Sequence, residues 1–76
     1  MTFTVEIKDI TKPAECEVEM FLDEDALNDL LSQLERLKAK GDHAHFFTNA
    51  WGGAPLSDQA VLPGSTLVNH MRVTRI

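Results

Sequence analysis

The stretch LDEDALNDLLSQLERLKAKG, residues 22–41, decides the architecture of this 76-residue chain. Asp23 is the predicted N-cap, acidic residues crowd the first turn, basic residues crowd the last, and Gly41 fits the left-handed position just past the end. One stripe of leucines recurs at helical spacing: Leu27, Leu30, Leu31, Leu34 and Leu37. We therefore predict one amphipathic helix that packs by its leucine stripe. Leu30→Asp or Leu34→Asp should then unfold the domain, because either change buries an unpaired charge.

Alternation of apolar and polar residues predicts two strands before this helix and two after it. The predicted strands run over residues 2–8, 14–20, 42–49 and 66–76, so the order is β-β-α-β-β in one domain, residues 1–76. One helix with one apolar stripe can cover only one face of a sheet. We expect an α+β fold in which a four-stranded antiparallel sheet carries one helix packed on one face.

The same alternation assigns each strand residue to a face of that sheet. The helix side is predicted to carry Phe3, Val5, Ile7, Cys16, Val18, Met20, Phe46, Met71 and Val73. The open face is predicted to carry Thr4, Glu6, the glutamates of the second strand, His43, His45, Phe47, His70 and Arg72. Because the open face combines charged with aromatic residues, we expect a partner or ligand to bind there.

The acidic composition limits the classes of partner. A net charge of −5 and a pI near 4.9 argue against nucleic acid, since phosphate binding needs a clustered positive surface. The N-terminal residues lack a secretory pattern, and no apolar run approaches the roughly 18–20 residues that span a membrane. We expect no membrane partner and a cytoplasmic location.

The groups that could support catalysis are poorly placed for it. Cys16, the one cysteine, excludes an internal disulfide, and its glutamate neighbours disfavour a thiolate. Ser57-Asp58 lacks the strand-turn-helix elbow of a nucleophilic serine, and Gly52-Gly53 is too short to cradle a phosphate. We predict that the protein is not an enzyme and uses no cofactor.

The segment HAHFFTNAWGGAPLSD, residues 43–58, concentrates two His, two Phe, the only Trp and a Gly pair. His43 and His45 share one side of a strand, and His70 joins them if the last two strands pair. Three histidines could hold a metal such as Zn²⁺, but the spacing is weakly specific and the sequence fixes no carboxylate nearby. We favour strand-surface or partner-contact roles, and predict no metal ligands.

Two interpretations of Trp51-Gly52-Gly53 stay open, and they do not exclude each other. In the first, the indole covers one edge of the small core and the glycines turn the chain. In the second, Trp51 is partly exposed and anchors an interface, since Trp is enriched at binding hot spots. The connection that follows, residues 50–65, is long for so small a domain, and such loops are often functional.

One motif resembles a known family. A helix ending at Gly41, then His43-x-His45-Phe46-Phe47-Thr48, Trp51-Gly52-Gly53 and Leu56-Ser57, is similar to the immunity protein 32 family of bacterial polymorphic toxin systems. The similarity runs from about residue 22 to the C-terminus, and Asn49-Ala50 departs from the Pro-Glu-like dipeptide of the family. The resemblance implies a small α+β protein that neutralises a cognate toxin by binding it. Its signature positions here are His43, His45, Trp51, Gly52 and Gly53, none with a catalytic role.

We therefore expect a non-catalytic protein-binding domain. If its partner is a basic toxin, the acidic net charge of this chain would attract it. The candidate partner surface consists of His43, His45, Phe47, Trp51, Gly52, Gly53, His70 and Arg72. Two alternatives remain. One is a small homodimer of unknown cellular role, joined through the open sheet face. The other is a metal-binding accessory protein that uses His43, His45 and His70.

Overall fold

The computed structural model describes residues 1–76 and has one α-helix and five strands. The elements are β1 (Phe3–Lys8), β2 (Glu17–Leu22), α1 (Glu24–Ala39), β3 (His43–Phe47), β4 (Thr66–Leu67) and β5 (His70–Thr74). One turn of 3-10 helix, Asn49–Trp51, follows β3. The predicted α+β class, with one helix and antiparallel strands, is confirmed. The helix lacks the length and apolarity that a membrane crossing requires.

The strands form two sheets instead of the single four-stranded sheet that we expected. One sheet has the order β2-β1-β4, and the other pairs β3 with β5. The predicted last strand is divided between them, because β4 pairs with β1 while β5 pairs with β3. Val68 N donates to Val5 O at 2.8 Å, and Asn69 O accepts from Thr48 N at 2.9 Å, so residues 68–69 join the sheets. Asn69 is a polar residue in line with the apolar Leu67, Met71 and Val73, and this break in the alternation marks the place where the chain passes from one sheet to the other.

The two strands predicted before the helix are present and pair as an antiparallel hairpin, although the second strand begins later than predicted. β1 and β2 pair antiparallel from Phe3↔Leu22 to Lys8↔Glu17. Turns occupy the residues before β2, where Lys12 N donates to Asp9 O and Glu15 N donates to Lys12 O, both at 2.8 Å. Cys16 therefore precedes the strand and is exposed, so its predicted place on the inner face is wrong.

A small core joins the two sheets. Its buried residues are Phe3, Val5, Ala26, Phe46 and Leu56. The Phe3 and Phe46 ring centroids are 5.7 Å apart, which ties β1 to β3 across the sheets. The predicted inward positions of Phe3, Val5 and Phe46 are confirmed, and Met71 and Val73 pack against the core. Val18 and Met20 are exposed, because β2 is an edge strand that the helix covers only in part.

The helix has the predicted ends but a different packing face. Asp23 caps it, since its Oδ1 accepts from Ala26 N at 2.9 Å, and Gly41 beyond its end has a φ of 101°. Ala26 and Leu37 are buried and Leu30 is partly buried against the core. Three of the five stripe leucines are exposed instead: Leu27, Leu31 and Leu34. The leucine pattern predicted the wrong face because a small residue, Ala26, and not Leu27 lies in the core at the start of the helix.

The face of β1 that carries Thr4 and Glu6 is covered, not open as we expected. The connection between the 3-10 turn and β4 crosses it and places donors on the Glu6 carboxylate. Val61 N and Leu62 N donate at 2.9 and 3.0 Å, and Ser65 Oγ donates at 2.6 Å. Thr4 and Glu6 are consequently fully buried. Local alternation could not reveal this, since the covering residues are 55 or more positions away.

Candidate functional site

The strands β3 and β5 carry the predicted site residues on one face. Their register pairs His43 with Thr74, His45 with Arg72 and Phe47 with His70. Directly opposite residues of an antiparallel pair share a face, so the predicted grouping of the three histidines with Phe47 and Arg72 is confirmed. His43, His45 and Arg72 are exposed, whereas Phe47 and His70 are half-buried. This sheet therefore keeps the open face that β1 lacks.

Four rings on this face, with Trp51 beside them, are in continuous contact and form what we call the aromatic ladder: His43, His45, Phe47, His70 and Trp51. Phe47 and His70 stack with centroids 4.4 Å apart and planes 10° apart. His45 stacks on Phe47 at 5.4 Å and on His70 at 5.1 Å. His43 meets His45 edge-on at 4.7 Å. Stacking at these distances holds the rings in fixed orientations.

Trp51 completes the ladder from the 3-10 turn. Its ring stacks on His70 with centroids 5.8 Å apart and planes 30° apart. The residue is nevertheless 61% exposed. The indole therefore does not cover the core, and Trp51 is exposed as the second interpretation requires. Its role as an interface anchor stays a prediction. An indole held by stacking on one side presents its other side to solvent.

The two glycines after Trp51 have structural tasks. Gly52 ends the 3-10 turn with a φ of 74°, in the left-handed region that favours glycine, and its N donates to Asn49 O at 2.9 Å. Gly53 lies against Phe47, whose Cβ would be only 2.6 Å from a Cβ added at Gly53. Gly52 and Gly53 thus position Trp51 and Phe47 and need not touch a partner themselves.

The chain beyond the glycines fixes the end of β3. Phe47 N donates to Ala54 O at 3.1 Å, and Leu56 N donates to Phe47 O at 2.9 Å. The Ala54-Pro55 peptide between these two bonds is cis. Leu56 then enters the core, and Ser57 N donates to Phe3 O at 2.7 Å. Phe47 is therefore held on both sides of its backbone, which makes the middle of the ladder rigid.

His45 and His70 are in direct hydrogen-bonding contact. His45 Nδ1 lies 2.8 Å from His70 Nε2, so one of these nitrogens holds a proton and the other accepts it. Partial burial lowers the pKa of His45, and the positive charges of His43, His70 and Arg72 lower it further. The lowered pKa favours the uncharged imidazole of His45, which can either donate or accept in this contact, depending on its tautomer.

The three histidines share a face, but their nitrogens do not converge on one point. His43 Nδ1 is 2.7 Å from Asp42 Oδ1, while His45 and His70 are engaged with each other. No group of three or more His, Cys, Asp or Glu side chains is placed to hold a metal ion. The alternative of a three-histidine metal site therefore has no geometric support.

A groove with a volume of about 670 Å³ runs beside the ladder, between the end of α1 and β3. Its lining includes Arg36, Leu37, Lys40, His43 and His45. Of the seven Lys and Arg residues, all but Lys8 and Lys12 belong to the end of α1 or to the final segment: Arg36, Lys38, Lys40, Arg72 and Arg75. Arg75 Nη1 donates to Lys38 O at 3.3 Å, which links these two segments. The surface around the ladder is thus locally basic in an acidic protein.

Several residues that shape this surface were not singled out from the sequence. Asp42 neighbours His43 in the chain, and that adjacency was an available signal. Arg36 and Lys40 reach the site only because the helix end lies against β3. Thr48 Oγ1 donates to Asn69 Oδ1 at 2.7 Å and fixes the base of the ladder, a contact between residues 21 positions apart. Neither of the last two arrangements has a local sequence signal.

The groups that this surface presents to a binding partner are exposed aromatic faces, imidazole nitrogens and guanidinium or ammonium groups. The serine that drew attention in the sequence is engaged elsewhere, since Ser57 Oγ accepts from Phe3 N at 3.1 Å and donates to Met1 O at 3.2 Å.

Comparison with known proteins finds no family model, no curated protein and no solved structure that matches this chain.

Proposed function

We propose that this chain is a non-catalytic protein-binding domain and that the aromatic ladder, together with Arg72, is its contact surface. The carrying observation is Trp51, which is largely exposed and yet stacked on His70. A large aromatic ring already held in position loses little conformational freedom on binding, and Trp is enriched among the residues that dominate binding energy. Trp51 is therefore the anchor of the proposed interface.

The type of binding domain that we propose is an immunity protein, which neutralises a bacterial toxin by direct binding in the cytoplasm. The proposal rests on the resemblance of residues 41–57 to that family. It is supported by the arrangement of the signature positions, since His43, His45 and Trp51 belong to one ladder. Of the other two, Gly52 ends the turn that carries Trp51, and Gly53 lies against Phe47 of the ladder.

The charged residues around the ladder indicate which groups the partner presents to it. The net charge of −5 acts at long range and would attract a basic protein. At contact, however, the partner meets Arg36, Lys40 and Arg72. Guanidinium and ammonium groups pair with carboxylates. We propose that the partner presents acidic and apolar groups to the ladder, whatever its overall charge.

The test is affinity capture from the native organism with three forms of the protein. The first is the wild type, the second is Trp51→Ala, and the third is Ile10→Ala, a matched control at an exposed apolar residue in the β1–β2 connection. Wild type and Ile10→Ala should recover the same partner, and Trp51→Ala should lose most of it while keeping its circular dichroism spectrum. Equal recovery by all three forms would place the interface elsewhere.

A second measurement separates the immunity role from binding in general. The captured partner is expressed alone and then together with this chain, and growth of the host is followed. If the partner is a toxin, it should stop growth alone and permit growth when co-expressed with wild type, but not with Trp51→Ala. A harmless partner would contradict the immunity role and leave the binding surface intact.

A further inference from the structure

The exposed flank of α1 is apolar where a solvated helix would be polar. Leu27, Leu31 and Leu34 are 46%, 49% and 39% exposed, although α1 packs its neighbouring flank on the core. Their spacing of four and then three residues places them in one row along the helix. The row is thus a continuous apolar strip that the protein's own sheets do not cover.

The strip continues onto the edge strand β2. Gln33, Arg36 and Lys40 line the groove with β3, so that flank of the helix faces β3. At about 100° per residue, the leucine row lies on the opposite flank, which faces β2. Met20 and Val18 pair with Val5 and Ile7, so they point to the helix side of the sheet, and they are 36% and 63% exposed. We call these five residues the leucine surface: Val18, Met20, Leu27, Leu31 and Leu34.

We propose that the leucine surface binds a second copy of this chain, with the two α1 helices packed antiparallel and centred on Leu31. The charge pattern of the helix argues for this occupant. Glu24 and Asp25 are in the first turn, and Arg36 and Lys38 are in the last. Glu24 and Lys38 are each seven residues from Leu31, so antiparallel packing about Leu31 sets Glu24 of one copy opposite Lys38 of the other.

The same pattern disfavours other arrangements of two copies. Parallel packing would set acidic turn against acidic turn and basic turn against basic turn, which is repulsive. Antiparallel packing is instead self-complementary, as a two-fold interface must be, because each copy supplies both the acidic and the basic end. The interface lies on the helix side and leaves the aromatic ladder free, so it differs from the dimer through the open sheet face that we expected as an alternative.

The first experiment is sedimentation velocity over a range of protein concentrations. Wild type should sediment as a dimer, and Leu31→Asp should weaken the dimer by about a hundredfold or more, since it places a charge in both halves of the apolar contact. Ile10→Asp is the matched control, because Ile10 is an exposed apolar residue in the β1–β2 connection, outside the leucine surface. It should leave the dimer unchanged. Circular dichroism should show that both variants are folded.

The second experiment tests the direction of packing. Glu24→Lys and Lys38→Glu should each weaken the dimer, and the double variant should restore it, because the swap rebuilds the opposite-charge pairs between copies. Each single change also opposes the dipole of its own helix, so thermal melts of the monomer at low concentration provide the correction for stability. A wild type that is monomeric throughout, a Leu31→Asp form that dimerises like Ile10→Asp, or a double variant without recovery would overturn the proposal.

Discussion

At the scale of single residues, Glu6 shows two opposing effects on one carboxyl group. Burial by itself raises the pKa of Glu6. Hydrogen bonds from Ser65, Thr4 and the backbone N–H groups of Val61 and Leu62 outweigh burial and lower the pKa to about 2. The carboxylate is therefore charged in the folded protein and serves as the common acceptor that holds the covering segment on β1.

This pKa makes stability depend on pH in a defined window. The pKa of Glu6 is about 2 in the folded state against an ordinary value of 4.5, so its stabilisation is present above pH 4.5 and is lost as pH falls toward 2. By linkage, the loss is about 3 kcal/mol, a large part of the roughly 4–11 kcal/mol expected for a chain of this size. Urea unfolding across this range measures it.

The matched variant is Glu6→Gln, which keeps the shape and removes the charge. Glu6→Gln should lower the free energy of unfolding at neutral pH by about 2–3 kcal/mol. The amide nitrogen cannot accept a hydrogen bond, so it would face N–H and O–H donors without pairing with them. Its unfolding should then vary less between pH 4.5 and 2 than that of wild type. A wild type and a variant with the same pH profile would show that Glu6 is not the titrating group.

Gly53→Ala tests the contact that positions the ladder. The added Cβ would lie 2.6 Å from Phe47 Cβ, an atom that cannot move without the backbone of β3. We expect a loss of about 1–3 kcal/mol in stability and displaced NMR signals of the Phe47 ring. Gly52→Ala is the comparison, since it has open space but a φ of 74°, and it should cost stability without moving Phe47. Unchanged Phe47 signals in Gly53→Ala would refute the close contact.

Titration of His45 tests the electrostatics of the ladder. Burial, followed by the charges of His43, His70 and Arg72, lowers its pKa below the ordinary 6.5. The unfolded chain then takes up the proton more readily, so this contribution to stability is present above pH 6.5 and is lost as pH falls through the folded-state pKa. NMR should show His45 titrating below pH 6.5, and Arg72→Gln should raise its pKa. A pKa in the variant no higher than in wild type would contradict the assigned role of Arg72.

At the scale of the element, α1 has two apolar rows with different tasks. Leu30 packs against the core beside Ala26, and Leu37 is buried near the end of the helix, whereas Leu34 belongs to the exposed row. Leu30→Asp should unfold the domain, because it buries an unpaired charge at a cost of about 3 kcal/mol or more. Leu34→Asp should remain folded, contrary to what the leucine stripe led us to expect. Thermal melts of the two variants separate them, and an unfolded Leu34→Asp would mean that the helix packs by its other flank.

The β3–β5 pair illustrates how an unstable element becomes a rigid platform. Two strands by themselves are marginal in water. Here Phe46 packs on Phe3, Leu56 returns to the core, and the Thr48–Asn69 hydrogen bond closes the end of the pair. The sheet is consequently fixed from one face and one end. Its other face can then carry exposed rings without losing its shape.

At the scale of the whole molecule, the charges are segregated. β2 and the segment before it contribute Glu15, Glu17 and Glu19, and the first turn of α1 adds further carboxylates. The opposite end, around the groove and the ladder, holds most of the cationic residues. A protein with a charge of −5 can therefore offer a basic contact surface. The net charge, which would suit a basic toxin as partner, does not describe the local charge of this surface, and the charge of the partner stays a prediction.

The sequence by itself determined the features that depend on residues a few positions apart. Helix capping by Asp23, the end of the helix before Gly41 and the alternation of β1 and β3 are such features, since backbone geometry fixes their periods. Alternation also placed Phe46 inward and set His45 and Phe47 on the opposite face.

Only the tertiary structure decided what depends on distant segments meeting. The division into two sheets, the cover over Glu6, the exposure of Leu34 and the stacking of Trp51 on His70 are of this kind. A strand can alternate in the same way whichever neighbour it pairs with, and an apolar row reads alike whether a sheet or solvent lies over it. Burial is a property of the packed chain, and local periodicity carries no information about which segment completes it.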